Sequence, residues 1–469
     1  MGNGAGGNLL RMHQELYMDR KTQNIQGQKV ESDRTSQTGF LSSVHTVMRN
    51  KDRVLNHLPL AKRKVDIMKS LGFHENCSNR QESGRLLKAL KTEKIEISDA
   101  IEVIHVSTGM SVDAIRKDLL FCYRTGLLEF HITDVCDLQC IDCHYRQKDN
   151  ATIPFSSVSD YLKHLNPNAI TVTGGGEPNC YHSEGKDLND LVLLIHDEFP
   201  HIQMGLINNN TYLPDGKWYD FLSWQRTSLD AHDVLTYEKI KRKRKYNACI
   251  ENIYHLLDSP IPHVGIGFLY RSENIAGMET FLLDWFERWQ KMNIAQKEKF
   301  NIQFRPISPA IDRVFEYDPQ NGLERQTAAM VLQIKKHARS HEIFNGFLKN
   351  QTNFYSIGTN SSSFFLHERK PFVKCYNALL HRVLRSDGNE YPDFLLCNDP
   401  SMSLGNVLAA KNADDERIRI ALGTFYFYHR LAEQYCHDES CRQCWVSNLI
   451  EQHWDSDVNN LNIPDNYFF

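Results

Sequence analysis

Cys136, Cys140 and Cys143 lie in the segment Phe130-His-Ile-Thr-Asp-Val-Cys-Asp-Leu-Gln-Cys-Ile-Asp-Cys143, a C-x3-C-x2-C spacing. Three cysteines that close in sequence can be a coincidence. They can also hold three corners of a cubic iron–sulfur cluster and leave the fourth iron without a protein ligand. An iron left open in this way can bind and reduce a small molecule. The same residues also suit zinc, for which His144 would supply the fourth ligand. The triplet alone leaves both metals open.

A second signal follows about one βα unit downstream. Ala169-Ile-Thr-Val-Thr173 reads as a short buried strand and runs into Gly174-Gly175-Gly176-Glu177-Pro178. Glycines placed after a strand let the backbone approach a ligand closely. Strand-like runs recur with helical stretches between them: Leu127 to Thr133, Ala169 to Thr173, Gln203 to Ile207, Gln225 to Leu229, His263 to Leu269 and Asn301 to Arg305. Such alternation predicts an α/β fold with a parallel sheet. Six units make a partial (β/α)6 barrel and not a closed eight-stranded one. Both motifs follow strand C-terminal ends, where parallel barrels place their active sites.

Cysteine triplet and glycine loop together resemble the radical S-adenosylmethionine (SAM) superfamily over roughly residues 127 to 310. The resemblance implies that Cys136, Cys140 and Cys143 hold a 4Fe-4S cluster. It implies that Gly174, Gly175, Gly176 and Glu177 hold the amino group of SAM's methionine. Ser228 and Asp230 take the place of polar ribose contacts, Asn208 to Asn210 line the pocket, and Arg305 meets the methionine carboxylate. The family usually carries an aromatic residue just before the third cysteine, to position adenine. Here that residue is Asp142, with His144 and Tyr145 close by as substitutes.

The second cysteine group comprises Cys375, Cys397, Cys436, Cys441 and Cys444. Cys441 and Cys444 have a ligand-pair spacing, and Cys375 and Cys397 flank Gly388 as a hairpin would require. The arrangement resembles the twitch form of the SPASM auxiliary-cluster extension. That implies one auxiliary cluster held by Cys375, Cys397, Cys441 and Cys444, with Cys436 as a possible replacement. A zinc ribbon from the same residues is the alternative. Cys180, three positions past Glu177, is a candidate hydrogen donor to a substrate radical, or else a small buried apolar residue.

The chain has 469 residues, with 54 basic and 58 acidic side chains for a net charge of −4. This balance argues neither for nor against nucleic acid. No apolar run reaches roughly eighteen residues, so no transmembrane helix is expected. The start lacks the basic and apolar regions of a signal peptide. Twelve cysteines, mostly in two groups, read as metal ligation in a reducing compartment, hence a cytoplasmic location.

The expected organisation has six parts. Residues 1–40 are polar and glycine-rich, and read as disordered. Residues 41–125 are helical. Ser98 is placed to cap a helix with Ile101 and Ile104, and Ser111 a second with Val112, Ile115, Leu119 and Leu120. This region is either a helical collar or a winged-helix-like docking module. Residues 126–310 form the catalytic core, 311–372 a bridge, 373–450 the auxiliary domain and 451–469 a tail. The basic run Lys239 to Lys245 is a solvated face, or else a patch for an acidic substrate.

The resemblance implies reductive cleavage of SAM to a 5′-deoxyadenosyl radical, followed by hydrogen abstraction from substrate. A flavodoxin- or ferredoxin-like donor would supply the electron. The favoured substrate is a peptide or protein, undergoing oxidation, cross-linking or epimerisation. The alternative substrate is a small molecule such as a sugar or cyclitol. A zinc-containing nucleic-acid-binding regulator is the reading from a different class, and it leaves Gly174 to Pro178 without a role.

Overall fold

Six parallel strands carry the core, and each is built so that one face lies under helices while the other faces inward. The computed structural model describes residues 55–73, 95–141, 143, 145, 150–307, 323–357, 374–394, 396–434, 446–447, 449–450 and 454–455. The expected N-terminal disordered segment, residues 311–322 and 358–372 of the bridge, Asp142, His144, Cys77, Cys436, Cys441 and Cys444 lie outside these residues. All described residues belong to one unit, Thr46–Phe469.

The chain begins with helices α1 (Leu58–Ser70), α2 (Ile97–Thr108) and α3 (Val112–Tyr123). Helix α2 starts one residue before the expected cap. Glu96 takes the N-cap position without a side-chain bond, and Ser98 lies inside the first turn. Gly109 closes α2 in the left-handed conformation at φ 70°, as a C-terminal glycine does. Ser111 caps α3 by accepting from the Ala114 amide. Ile115, Leu119, Cys122 and Tyr123 are buried, but Val112 faces solvent.

The sheet and its helices follow in order: β1 (Leu127–His131), α4 (Val158–Leu165), β2 (Ala169–Thr173), the small hairpin β3 (His182–Ser183) and β4 (Lys186–Asp187), α5 (Leu188–Glu198), β5 (Gln203–Asn208), β6 (Trp224–Ser228), α6 (Val234–Lys241), α7 (Tyr246–Asp258), β7 (Val264–Tyr270), α8 (Met278–Lys291), α9 (Ile294–Lys299) and β8 (Phe300–Pro306). Beyond them lie α10 (Leu323–Arg339), α11 (Glu342–Gln351), α12 (Tyr376–Leu380), β9 (His381–Leu384), β10 (Glu390–Tyr391) and α13 (Ala413–Gln434). The strand order is β10-β9-β1-β2-β5-β6-β7-β8. Strands β1, β2, β5, β6, β7 and β8 are parallel neighbours, as expected for the partial barrel. Strand β9, not expected in this sheet, extends it in parallel beside β1, and β10 returns antiparallel.

The sheet curls. Trp224 of β6 packs on Leu127 of β1 and Ala169 of β2, although β2 and β5 separate β1 from β6 in the strand order. That contact requires the inward faces to turn toward each other. Outward positions such as Phe268, Phe300 and Phe304 pack against Phe281 and Trp285 of α8. Inward positions are mostly half-buried: Glu129, Thr171, Thr173, Ile207, Trp224, Arg226, Ser228, Gln303 and Arg305. Alternation of covered and half-open positions along every strand defines a chamber inside the curl.

Helices α1 to α3 pack with α12 and α13 at the β9 edge. Lys64 donates to the Leu379 carbonyl at 2.7 Å and to that of Arg124. Arg116 pairs with Asp415 at 2.5 Å. Buried Arg382 of β9 pairs with buried Glu390 of β10 at 2.7 Å, and the Tyr123 hydroxyl donates to the same carboxylate at 2.6 Å. Burial holds the Glu390 carboxyl above its ordinary range, with Arg382 and Tyr123 opposing that shift.

Gly205 permits the curl. A Cβ there would sit 2.2 Å from the Trp224 ring. Gly205→Ala should therefore destabilise the fold by about 1–3 kcal/mol through overpacking. In a Trp224→Leu background the same change should cost less, and urea midpoints of the four proteins measure the difference.

Candidate active site

The loop carrying the cysteine triplet leaves β1 at the mouth of the chamber and is tied down on several sides. Its base is closed by a bridge between Thr133 and Thr152, whose hydroxyls lie 2.8 Å apart. The amide of Asp134 donates to the Ala151 carbonyl, and that of Ile153 to Ile132. On the β2 side, the Gly176 amide donates to the Thr133 carbonyl and the Glu177 amide to Val135, both at 2.8 Å. On the β5 side, Asn209 donates to Asp137 at 2.7 Å, and Thr211 donates to the other oxygen of that carboxylate. On the β6 side, the Gln139 and Ile141 amides donate to the Lys241 and Ile240 carbonyls. Cys136, Cys140 and Cys143 are thus presented, half-buried and outside any disulfide, by a loop pinned to the chain just after β2 and β5 and to the end of α6.

The glycine loop owes part of its composition to this contact. A Cβ on Gly175 would lie 2.0 Å from an Asp134 carboxylate oxygen, and one on Gly176 2.1 Å from the Val135 carbonyl. Only glycine lets the two loops lie against each other.

Among the described residues, no three His, Cys, Asp or Glu side chains converge as ligands of one metal ion. A 4Fe-4S cluster takes one thiolate on each of several irons, a donor set that the three half-buried thiols of this one loop would supply. Thiol-only donors, a half-open loop and the adjoining cradle of glycines suit that group.

Glu177 is buried, and its two carboxylate oxygens accept from the Asn209 amide at 2.6 Å and the Asn179 amide at 3.2 Å. Burial pushes its carboxyl up to about 8, and the two backbone amides only partly pull it back. Asn208 is buried at the end of β5, donating to Asn179 at 3.3 Å and accepting from Gln225 at 2.7 Å. Ser228 ends β6 on the inward face. Asp230, at φ 56°, accepts from Lys241 at 2.5 Å and from the Leu269 amide at 2.6 Å, with Arg271 at 4.0 Å. Its carboxylate thus braces the rim. Lys241 is the one buried member of the basic run; Lys239, Arg242, Lys243, Arg244 and Lys245 are exposed. Cys180 closes a short turn after Glu177, near Tyr212. Arg305 faces the chamber from β8 and donates to Gln303 at 2.7 Å.

Cys375 precedes α12 and Cys397 follows the β9–β10 hairpin, and both are buried. The Cys397 thiol donates to the Phe394 carbonyl at 3.0 Å and lies 3.8 Å from the Tyr145 hydroxyl. Burial pushes this thiol far up, with Glu129 adding to the effect. Tyr145 also stands edge-on to His131.

One group of inward residues was not singled out from sequence. Glu129 of β1 meets His131 at 2.9 Å and His381 of β9 at 3.6 Å. Burial alone would raise the Glu129 carboxyl, but bonds from the two imidazoles outweigh it and hold it far below the usual range. The available signal was charge at alternate positions of an apolar strand, as in Leu127-Leu-Glu-Phe-His131.

No protein-family profile matches the chain, and no curated protein matches it by sequence. Among solved structures the likenesses are remote. SuiB of Streptococcus suis bound to the precursor peptide SuiA is 14% identical, with a TM-score of 0.46 over 75% of this chain and 80% of that one. anSMEcpe with bound AdoMet and the Cp18Cys peptide is 16% identical, with a TM-score of 0.44 over 72% and 98%. BtrN in complex with AdoMet and 2-DOIA is 11% identical, with a TM-score of 0.35 over 67% and 91%. In this chain a cysteine-triplet loop is locked to a glycine loop at the mouth of a partial parallel barrel.

Glu177 has a consequence for stability. The unfolded chain releases this proton near 4.5, the folded one near 8. Between those values the folded state binds more protons, so stability falls as pH rises through the window and levels off above it. The slope is on the order of 1 kcal/mol per pH unit. Glu177→Gln should remove this slope while placing an amide group against one backbone N–H. Urea melts from pH 5 to 9 measure both effects.

Proposed function

We propose that this chain is a radical SAM enzyme that abstracts hydrogen from a peptide or protein substrate. The observation that carries the reading is the lock between the Cys136–Cys143 loop and the Gly174–Glu177 loop above a half-open polar chamber. A four-iron cluster bound there, together with S-adenosylmethionine, supplies one-electron cleavage of the cofactor and a hydrogen-abstracting radical. Cys136, Cys140 and Cys143 would hold the cluster.

The chain's own residues hold and shield. The Gly174–Gly176 loop keeps backbone close to the cluster loop, where side chains on Gly175 and Gly176 would push the two loops apart. Ser228 offers a hydroxyl on the inward face at the mouth. Asp230, Lys241 and Arg271 brace the β6 rim so that it does not shift when the cofactor enters. The curled sheet and its helices exclude water below the mouth.

A peptide substrate is favoured by the collar. Val103 and Val106 of α2 and Val112 of α3 are exposed apolar side chains on one short stretch. Such side chains suit contact with an extended peptide. Cys375 and Cys397 stand as two thiols of the proposed auxiliary site, with Cys441 and Cys444 as the others. The electron donor is proposed to be a flavodoxin- or ferredoxin-like protein, and the location cytoplasmic.

Anaerobic reconstitution should give about eight irons per chain if both clusters form, and about four if the auxiliary site is absent. Reduced protein should convert SAM to 5′-deoxyadenosine, and Cys140→Ala should abolish that product. A colourless preparation carrying zinc alone would end the proposal. A second measurement concerns the collar. Val103→Ser with Val106→Ser should weaken peptide turnover through KM while leaving substrate-free SAM cleavage unchanged. Equal loss of both activities would count against peptide docking there.

A further inference from the structure

The basic run Lys239 to Lys245 folds up against the cysteine loop. Helix α6 carries its first residues, and the turn into α7 carries the rest. The Gln139 and Ile141 amides, on either side of Cys140, donate to the Lys241 and Ile240 carbonyls at 3.2 and 3.0 Å. The last turn of α6 is therefore one hydrogen bond away from the backbone that presents Cys140.

The two sides of α6 differ. Tyr237, Ile240 and Lys241 are buried. Leu235, Lys239 and Arg242, spaced i, i+4 and i+7, share the other side and are exposed. Lys243, Arg244 and Lys245 continue the exposed surface around the turn. Arg244 meets Glu238 at 2.8 Å, a surface pair that solvent weakens. Leu235 is 76% exposed and gives the cationic patch an apolar point. Arg242 sits at φ 62°, the left-handed conformation in which helices commonly end on glycine. Glycine would relieve that strain, whereas arginine keeps a charge at the turn.

The chain as a whole has 54 basic and 58 acidic side chains, so this run is a local positive field on a slightly negative protein. Its charged groups face solvent. A substrate has to meet the reacting atoms themselves. An electron only has to reach the cluster, and its transfer falls off steeply with distance. A partner drawn to this patch stays at the surface and still stands beside the Cys140 loop.

We propose that Leu235, Lys239, Arg242, Lys243 and Lys245 form the docking surface for an acidic one-electron carrier protein that reduces a cluster held by Cys136, Cys140 and Cys143. The inference rests on the proposed function and gives its electron donor a landing site. One electron leaves the reduced carrier and one enters the cluster, and no bond forms or breaks at the surface. Positive charge speeds and orients the encounter, and Leu235 supplies an apolar contact.

The test titrates fluorescently labelled flavodoxin, and separately a labelled plant-type ferredoxin, with the full chain under nitrogen, and reads anisotropy. Saturable binding of at least one carrier is expected, weakening about tenfold or more between about 0.01 and 0.15 M ionic strength. Lys243→Glu with Lys245→Glu should weaken binding about tenfold or more, and Leu235→Ser should act in the same direction. All three positions are exposed, and unchanged thermal melting shows that the variants keep their fold. In reconstituted protein the double variant should slow 5′-deoxyadenosine formation driven by the carrier and leave formation driven by dithionite as in the parent. Absence of binding by both carriers overturns the proposal, as does binding indifferent to salt and to the double variant. Equal loss of carrier-driven and dithionite-driven cleavage overturns it too. Tighter, variant-sensitive binding of duplex DNA would assign the run to a different partner and overturn it. So would a rise in KM for an acidic peptide with carrier binding unchanged. If no cluster can be reconstituted, the radical SAM reading fails, while the titration still decides whether the patch takes an acidic carrier.

Discussion

Two backbone hydrogen bonds, from Gly176 to Thr133 and from Glu177 to Val135, organise everything at the mouth of this barrel. They are short-range ladder bonds made outside any strand, and they join the loop after β1 to the loop after β2. Because both loops are main chain at the contact, the distance between them is set by peptide geometry and not by side-chain rotamers. The thiols at 136, 140 and 143 inherit that precision. Asp137, Lys241 and Ile240 then fix the far side of the same loop against the end of β5 and the end of α6. A site built this way is positioned before anything binds, which keeps the ordering cost of binding low.

The chamber below the mouth exacts a cost in stability. Inward positions carry Glu129, Arg226, Gln303 and Arg305, where an ordinary barrel would carry branched aliphatic residues. The outer face compensates. Phe268, Phe300 and Phe304 meet Phe281 and Trp285 in a continuous aromatic layer under α8. Polar and charged groups gather on the inward face of these strands and cohesion comes from the other, and the two-residue period of the strand keeps them apart.

Much of this could be read from sequence. All six core strands announced themselves as short apolar runs ending in glycine or polar residues, and the structure places them within a residue or two of expectation. Local chemistry also located the Ser111 cap. What stayed hidden depended on long-range pairing. Nothing in His381-Arg-Val-Leu384 says that it will lie beside β1, because a four-residue strand has no period long enough to reveal its partner. For the same reason the charged pair Glu129 and His131 on β1 did not reveal His381 as its third member, which lies some 250 residues downstream. Lys241 looked like one charge in a solvated run, yet it is buried against Asp230. Composition could not distinguish it from its exposed neighbours.

The placement of β9 bears on how the molecule is made. Strand β1 is among the first core elements to leave the ribosome, but its outer neighbour is synthesised only after every other strand of the barrel. Until then the edge of β1 exposes unpaired amides and carbonyls. Tyr123 likewise waits for Glu390, which arrives late in synthesis. A nascent chain stalled between β8 and β9 would hold a nearly complete barrel with one bare edge, an intermediate apt to pair with its own kind. Cellular yield of this protein should therefore depend on translation speed through the C-terminal quarter and on chaperones that mask a naked strand.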